Sequence, residues 1–250
     1  MKKYFIITGA SRGLGKAFAE ALLDQQHVLF LISRSENPDI RNKALIKNCQ
    51  VHEISFDLSE TEKIDKLMRN LLDHIPPDAA TGIYLINNAG ITEPVREIHH
   101  TAAGEIHRIT AVNFTAPVLL TAAFIKYAGD YKTDKRILNI TSGAATHPHH
   151  GMSMYCATKA ALDQFTRSVA LEQDQENGVQ LHAISPGFVD TDMPNQLIGK
   201  PEEEFADAEK FRQAREKGKF AAPDEVAEKI IRLWFENRLA HGRISHIDDF

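Results

Sequence analysis

Tyr155 and Lys159, in the stretch "SMYCATKAA", lie four residues apart. That spacing puts both side chains on one face of a helix. A phenol with an ordinary pKa near 10 takes little part in proton transfer at neutrality. Burial raises that value by penalising the phenolate, whereas an ammonium within about 4–6 Å lowers it by roughly 1–3 units. The pair is therefore expected to act as an acid only where the lysine's charge outweighs desolvation. Tyr and Lys four apart occur in many helices by chance, so a cofactor, a substrate and a reason for the proton to move must come from the rest of the chain.

The 250 residues are 43% hydrophobic and 25% charged, as expected of a globular protein with a sizeable core. A formal charge of −5 gives no support to binding of nucleic acid or an anionic membrane. The apolar runs fall short of the roughly 20 residues that a membrane span needs. "MKKYFIITG" has a basic start, but its apolar part is too short for a signal peptide and leads straight into a strand. Two cysteines, Cys49 and Cys156, form no metal or disulfide pattern, and a reducing cytoplasm is the natural compartment. Beside the tyrosine, Cys156 reads as a small apolar residue.

Short apolar runs at 4–8, 28–33, 51–56, 82–87, 136–141, 179–185 and 242–248 alternate with segments of helical periodicity, such as 61–75, 101–127, 152–174 and 223–237. Most of the runs lack period-two alternation, the mark of strands buried on both faces of a parallel sheet flanked by helices. No linker or internal repeat divides the chain. The expectation is one α/β domain over 1–250. Its one compositional shift is the charge-dense stretch 195–222, read as a helical insertion that is either a solvated helix or a substrate lid.

"ITGASRGLG" joins the first strand to the first helix. Gly9, Gly13 and Gly15 there permit a tight turn and the close approach of a pyrophosphate to a helix N-terminus. A NAD-type site places an acid at the end of the second strand. Here Ser33 and Arg34 stand there, with Arg12 inside the glycine loop. Two guanidiniums suit a 2′-phosphate, so NADP is expected over NAD, although Glu36 close by complicates the choice.

"TGASRGLG", "NNAG" (87–90), Asn113 in "VNF", "ITS" (140–142), "YCATK" (155–159) and "SPGFVDTDM" (185–193) follow one another in this order. The ordered set resembles the short-chain dehydrogenase/reductase family over essentially the whole chain. The resemblance implies a single-domain Rossmann fold with a seven-stranded parallel sheet and helices on both faces. It also implies a catalytic tetrad of Asn113, Ser142, Tyr155 and Lys159. Nucleotide contacts would come from Ser11 and Leu14 of the glycine loop, Asp57 and Leu58 at the adenine, and Asn88, Ala89 and Gly90 along the cleft. Lys159 would hold the nicotinamide ribose, and Pro186, Gly187, Val189 and Thr191 would lie at the carboxamide end. "SPGFVDTDM" and the terminal "HIDDF" resemble the sepiapterin-reductase-like branch, which includes bacterial benzil reductases and reduces carbonyls with NADPH. That branch's substrate-anchoring aspartate would fall on Asp248, whose plainer reading is an exposed acid at a frayed terminus.

In such a reaction Ser142 would donate to the carbonyl oxygen alongside Tyr155, worth on the order of 3 kcal/mol. Asn113 would brace a helix and hold water linked to the lysine. Ala144, Met152, Phe188 and Met193 are the candidate apolar contacts to substrate. The histidines of "THPHHG" (146–151) have no neighbouring carboxylate or thiolate, so no metal is expected and the loop reads as a pocket wall. His99 and His100 read as surface residues. The leading expectation is an NADPH-dependent reductase of a ketone or vicinal diketone. Its competitors are a non-catalytic NADP(H)-binding redox sensor, which would need neither the Tyr155–Lys159 pair nor Ser142, and an NAD-dependent alcohol dehydrogenase. A homodimer through the long helices flanking the fifth strand is also expected.

Overall fold

The computed structural model describes residues 1–173, 177–201 and 204–250. Seven strands form one sheet: β1 (Lys2–Thr8), β2 (His27–Ser33), β3 (Gln50–Ser55), β4 (Ala80–Asn87), β5 (Asp134–Ile140), β6 (Gln180–Ser185) and β7 (Ile244–His246). Their order is β3-β2-β1-β4-β5-β6-β7, and every pairing is parallel. The order reverses between β1 and β4, which opens a crevice beyond their C-terminal ends, where ligands of such sheets bind.

Alternate residues of the central strands feed two separate cores. Phe5, Ile7, Leu29, Leu31, Tyr84 and Ile86 pack under α1 (Gly13–Ala21), α2 (Pro38–Ile46) and a later helix, Pro223–Phe235. Ile6, Phe30, Ile83 and Leu85 pack on the opposite face against α3 (Ile64–Asp73) and two long helices described below. Burial on both faces explains why the strands read as unbroken apolar runs. The helix starts follow local rules. Asn37 caps α2 by accepting from the backbone N–H of Asp39 and Ile40, with Pro38 in the first turn.

The segment expected as one helix over 101–127 is α4 (Ala103–Thr110), a π-helical turn (Ala111–Thr115) and α5 (Ala116–Ala128). Taken together its 26 residues are long and apolar enough to cross a membrane by length and composition alone. Its apolar positions Ile109, Ala116, Leu120 and Phe124 are fully buried inside the protein. After it come α6 (Ser153–Glu172), α7 (Asp192–Ile198), α8 (Ala208–Glu216) and α9 (Pro223–Phe235). The expected insertion contains α8 and most of α7; its residues 202 and 203 lie outside the described residues. Its end is pinned by a one-residue bridge between Val189 and Ala221.

His182 on β6 is buried beside Trp234, and burial, more than the neighbouring Arg136 and His241, lowers its pKa to about 4. The unfolded chain takes up this proton below 6.5, the folded chain only near 4. Stability is therefore expected to fall as pH drops through that window, by about 3 kcal/mol for this residue. Urea unfolding of His182→Leu at a series of pH values should show a shallower acid dependence than the parent protein.

Candidate active site

Thr8 ends β1, and its hydroxyl accepts from the backbone N–H of Asn88 (3.0 Å) and Ala89 (3.1 Å). The Asn88 amide donates in turn to the Thr8 carbonyl at 3.0 Å. The loop after β4 is thus fastened to the glycine loop across the mouth of the crevice. Gly9 has φ +68°, and a Cβ there would lie 2.9 Å from Ala89 Cα; one on Gly15 would lie 2.1 Å from the Gly9 carbonyl oxygen. No other residue fits these two positions. At the start of α1, Arg12 makes no side-chain cap and the first turn holds no acid. Its free N–H groups and helix dipole are left for an anion.

Around this cradle, Arg34 is exposed at the end of β2 and Ser33 donates to the Ser35 carbonyl. Arg12 forms an exposed ion pair with Asp192 at 3.3 Å, a contact of small energy. Glu36 is held by Arg41 at 2.6 Å, and the same guanidinium pairs with Glu53 at 2.7 Å. Ser11 is tied through its carbonyl to the Asn37 amide at 2.6 Å. Asp57 accepts from the Ser59 N–H and hydroxyl, which hold its carboxyl below the usual range, with Arg34 and Arg108 adding to the effect. Leu58 is buried beside it. From the opposite side, Thr191 comes within 3.2 Å of where a Gly13 Cβ would be, while Gly187 turns at φ +70° and Val189 is buried. Pro186 and Leu14 are half-buried nearby.

Tyr155, Lys159 and Asp163 mark three successive turns of α6, and all three are buried. The Lys159 Nζ lies 5.9 Å from the centre of the Tyr155 ring and donates to the Ile140 carbonyl at 2.8 Å. Asn113 sits in the π-helical turn, where it clasps the Ile91 backbone twice: Oδ1 accepts from N–H and Nδ2 donates to C=O, each at 2.8 Å. Its Nδ2 also reaches the Thr158 hydroxyl at 3.4 Å. A Cβ on Gly90 would lie 3.6 Å from Asn113 Oδ1 and 3.7 Å from Lys159 Nζ, so the three residues share one corner. From the π-helical turn Asn113 thus fixes the Ile91 backbone beside the pair.

Electrostatically, burial is the largest influence on both members of the pair. Burial pushes the Tyr155 phenol above its ordinary value, and the adjacent Ser142 hydroxyl only partly pulls it back. Burial also lowers Lys159 to about 8, opposed by the charge of Asp163. Desolvation comes first for each because both groups are enclosed, ahead of the Ser142 hydrogen bond at the phenol and of the Asp163 charge at the ammonium. At neutrality the phenol keeps its proton and the ammonium is largely retained.

Ala144, Met152 and Tyr155 belong to a third apolar cluster, completed by Val95, Ile109, Leu197, Phe205 and Ala208. The charge-dense insertion thus turns buried apolar residues onto the wall beside the phenol. Phe188 stacks edge-on to Phe211 at 5.3 Å and lies 5.1 Å from Phe220. His149 bonds to Asp207 at 2.7 Å, tying "THPHHG" to α8. Met193 is half-buried in α7. Asp248 is 82% exposed and pairs with its own neighbour His246 at 3.3 Å. Sequence reasoning missed Asp163, Phe205 and Phe211. The first was legible as the next residue on the Tyr155–Lys159 face, the others as apolar positions in an otherwise charged stretch.

The family model described as short chain dehydrogenase matches residues 3–201. The chain is 35% identical to a benzil reductase ((S)-benzoin forming) of Bacillus cereus, over 99% of this chain and 100% of that protein. It is 38% identical to the benzil reductase ((S)-benzoin forming) of Bacillus subtilis (strain 168), over 98% of each. Among solved structures, the KRED1-Pglu enzyme superposes with a TM-score of 0.81 at 27% identity, covering 97% of this chain and all of that one. The chain belongs to the short-chain dehydrogenase/reductase family, oxidoreductases that act at carbonyl and hydroxyl carbons.

A reaction that uses the Lys159 ammonium is expected to fade as pH rises through about 8, since the charged form exists below that value. Removing the neighbouring negative charge with Asp163→Asn should move this basic limb to lower pH. The pH–rate profiles of the two proteins measure the displacement.

Proposed function

We propose that this protein is an NADPH-dependent carbonyl reductase that converts a ketone or benzil-like vicinal diketone to the hydroxyketone or alcohol. The observation that carries the proposal is the enclosed Tyr155–Lys159 pair with the Ser142 hydroxyl at the phenol, opening toward a glycine cradle that any side chain would fill. NADPH, when bound, supplies the hydride that the carbonyl carbon receives. Tyr155 gives its proton to the carbonyl oxygen, and Ser142 donates a hydrogen bond to that oxygen as negative charge builds. Lys159 stabilises the phenolate left behind, an interaction strongest once the proton has moved. It would also hold the nicotinamide ribose of the bound cofactor. Asn113 positions the lysine's surroundings through Ile91.

For the cofactor, Arg34 and Arg12 offer two guanidiniums to a 2′-phosphate, and the engagement of Glu36 by Arg41 removes the nearby acid that would favour a 2′-hydroxyl. The substrate rests against Ala144, Met152 and Phe188, with the insertion as its lid. A cytoplasmic homodimer through α5 and α6 accompanies this reading.

Turnover of benzil and related diketones with NADPH tests the proposal. Tyr155→Phe is expected to lose about 10²–10⁴-fold in kcat with NADPH affinity retained, and Arg34→Asp to shift preference from NADPH toward NADH. Unchanged turnover in Tyr155→Phe, or no NADPH oxidation across a dicarbonyl panel, would overturn it.

A further inference from the structure

Two segments far apart in sequence meet on the surface beside the pocket wall, outside the residues assigned to the reaction. The backbone N–H of Arg96 donates to the Gly151 carbonyl at 2.8 Å. Gly151 adopts φ +76°, and a Cβ there would come within 2.7 Å of the Glu204 carbonyl oxygen. The junction is therefore fixed by backbone contacts on both sides.

Glu97, His99 and His100 cluster beside it, and His150 joins them at Glu97. Glu97 Oε2 lies 3.5 Å from His99 Nδ1, and Glu97 Oε1 lies 3.3 Å from His150 Nε2. Ligand atoms of Glu97, His99 and His100 all lie within 4.8 Å of one another, and the His99 and His100 rings are 3.9 Å apart between centres. The carboxylate that "THPHHG" lacks in sequence is thus supplied by Glu97. Nearby groups that could compete are already engaged: Arg96 pairs with Glu105 at 3.1 Å, and His149 with Asp207 at 2.7 Å.

Tetrahedral zinc holds imidazole nitrogens and carboxylate oxygens at about 2.0–2.2 Å, which sets neighbouring ligand atoms about 3.3–3.6 Å apart. The two Glu97–histidine separations, one to each carboxylate oxygen, fall in this range. Three imidazoles and a carboxylate form a donor set suited to zinc, copper or nickel rather than to magnesium or calcium. All four side chains are exposed, so an ion has direct access.

We propose that Glu97, His99, His100 and His150 form a binding site for one divalent transition-metal ion of the zinc class. Binding there fastens the loop carrying His149 and Met152, which walls the pocket, to the segment leading into α4.

Calorimetric titration of the untagged full-length protein with zinc chloride, together with the visible spectrum of its cobalt(II) form, tests the site. The expected result is one equivalent bound, a tetrahedral cobalt band, and at least tenfold weaker binding in both His150→Ala and Glu97→Gln. His147→Ala, which removes an exposed histidine of the same loop outside the cluster, should bind as the parent does. Binding unaffected by His150→Ala, equal losses in His147→Ala, or several weak equivalents without the band would overturn the proposal. Circular dichroism of each variant separates loss of the site from loss of the fold.

Discussion

Enclosing an acid and a base in the same low-dielectric corner is the constraint on which the rest of this structure turns. Tyr155 and Lys159 are each less than a tenth exposed. Desolvation drives the phenol up and the ammonium down, so both move toward neutrality together. Lowered only to about 8, the lysine stays mostly charged at neutral pH while the tyrosine stays protonated. A protonated phenol beside a waiting positive charge is a suitable starting state for delivering a proton to an oxygen that becomes negative. In the proposed reaction the lysine's charge acts on the developing phenolate more than on the resting phenol, which is where an electrostatic contribution accelerates a reaction.

The fold holds this corner from several directions. The carbonyl at the end of β5 accepts from Lys159, the π-helical turn between α4 and α5 presents Asn113 to Ile91, and the loop after β4 is fastened to β1 through Thr8. All three lie at C-terminal ends of central strands or on helices that follow them, beside the reversal in strand order that opens the crevice. The insertion closes the fourth side with Leu197, Phe205 and Ala208. Its charge faces solvent while a few apolar residues pack into the cluster that contains the phenol.

Much of this was legible in the chain because strong local rules coincide with the global fold. Strands buried on both faces must be unbroken apolar runs, glycines must stand where a Cβ would strike backbone, and the spacing of Tyr155 and Lys159 needs only a helix. What the sequence hid depends on three-dimensional balance. The direction of the Tyr155 shift follows from how completely the pair is enclosed, which no spacing reveals. The π-helical turn at Asn113 is a one-residue change in hydrogen bonding within a helix whose composition looks continuous. The apolar face of the insertion is masked by its charges, and the meeting of Glu97 with His150 requires two loops to be brought together by tertiary structure.

Ionisation of Tyr155 in the free protein tests the central claim most directly. Carbon-13 NMR of the labelled phenol carbon, assigned by its loss in Tyr155→Phe, follows the side chain through its titration. Enclosure predicts a midpoint above the ordinary value of 10.0. A midpoint below it would show that the lysine's charge outweighs burial and would contradict the account.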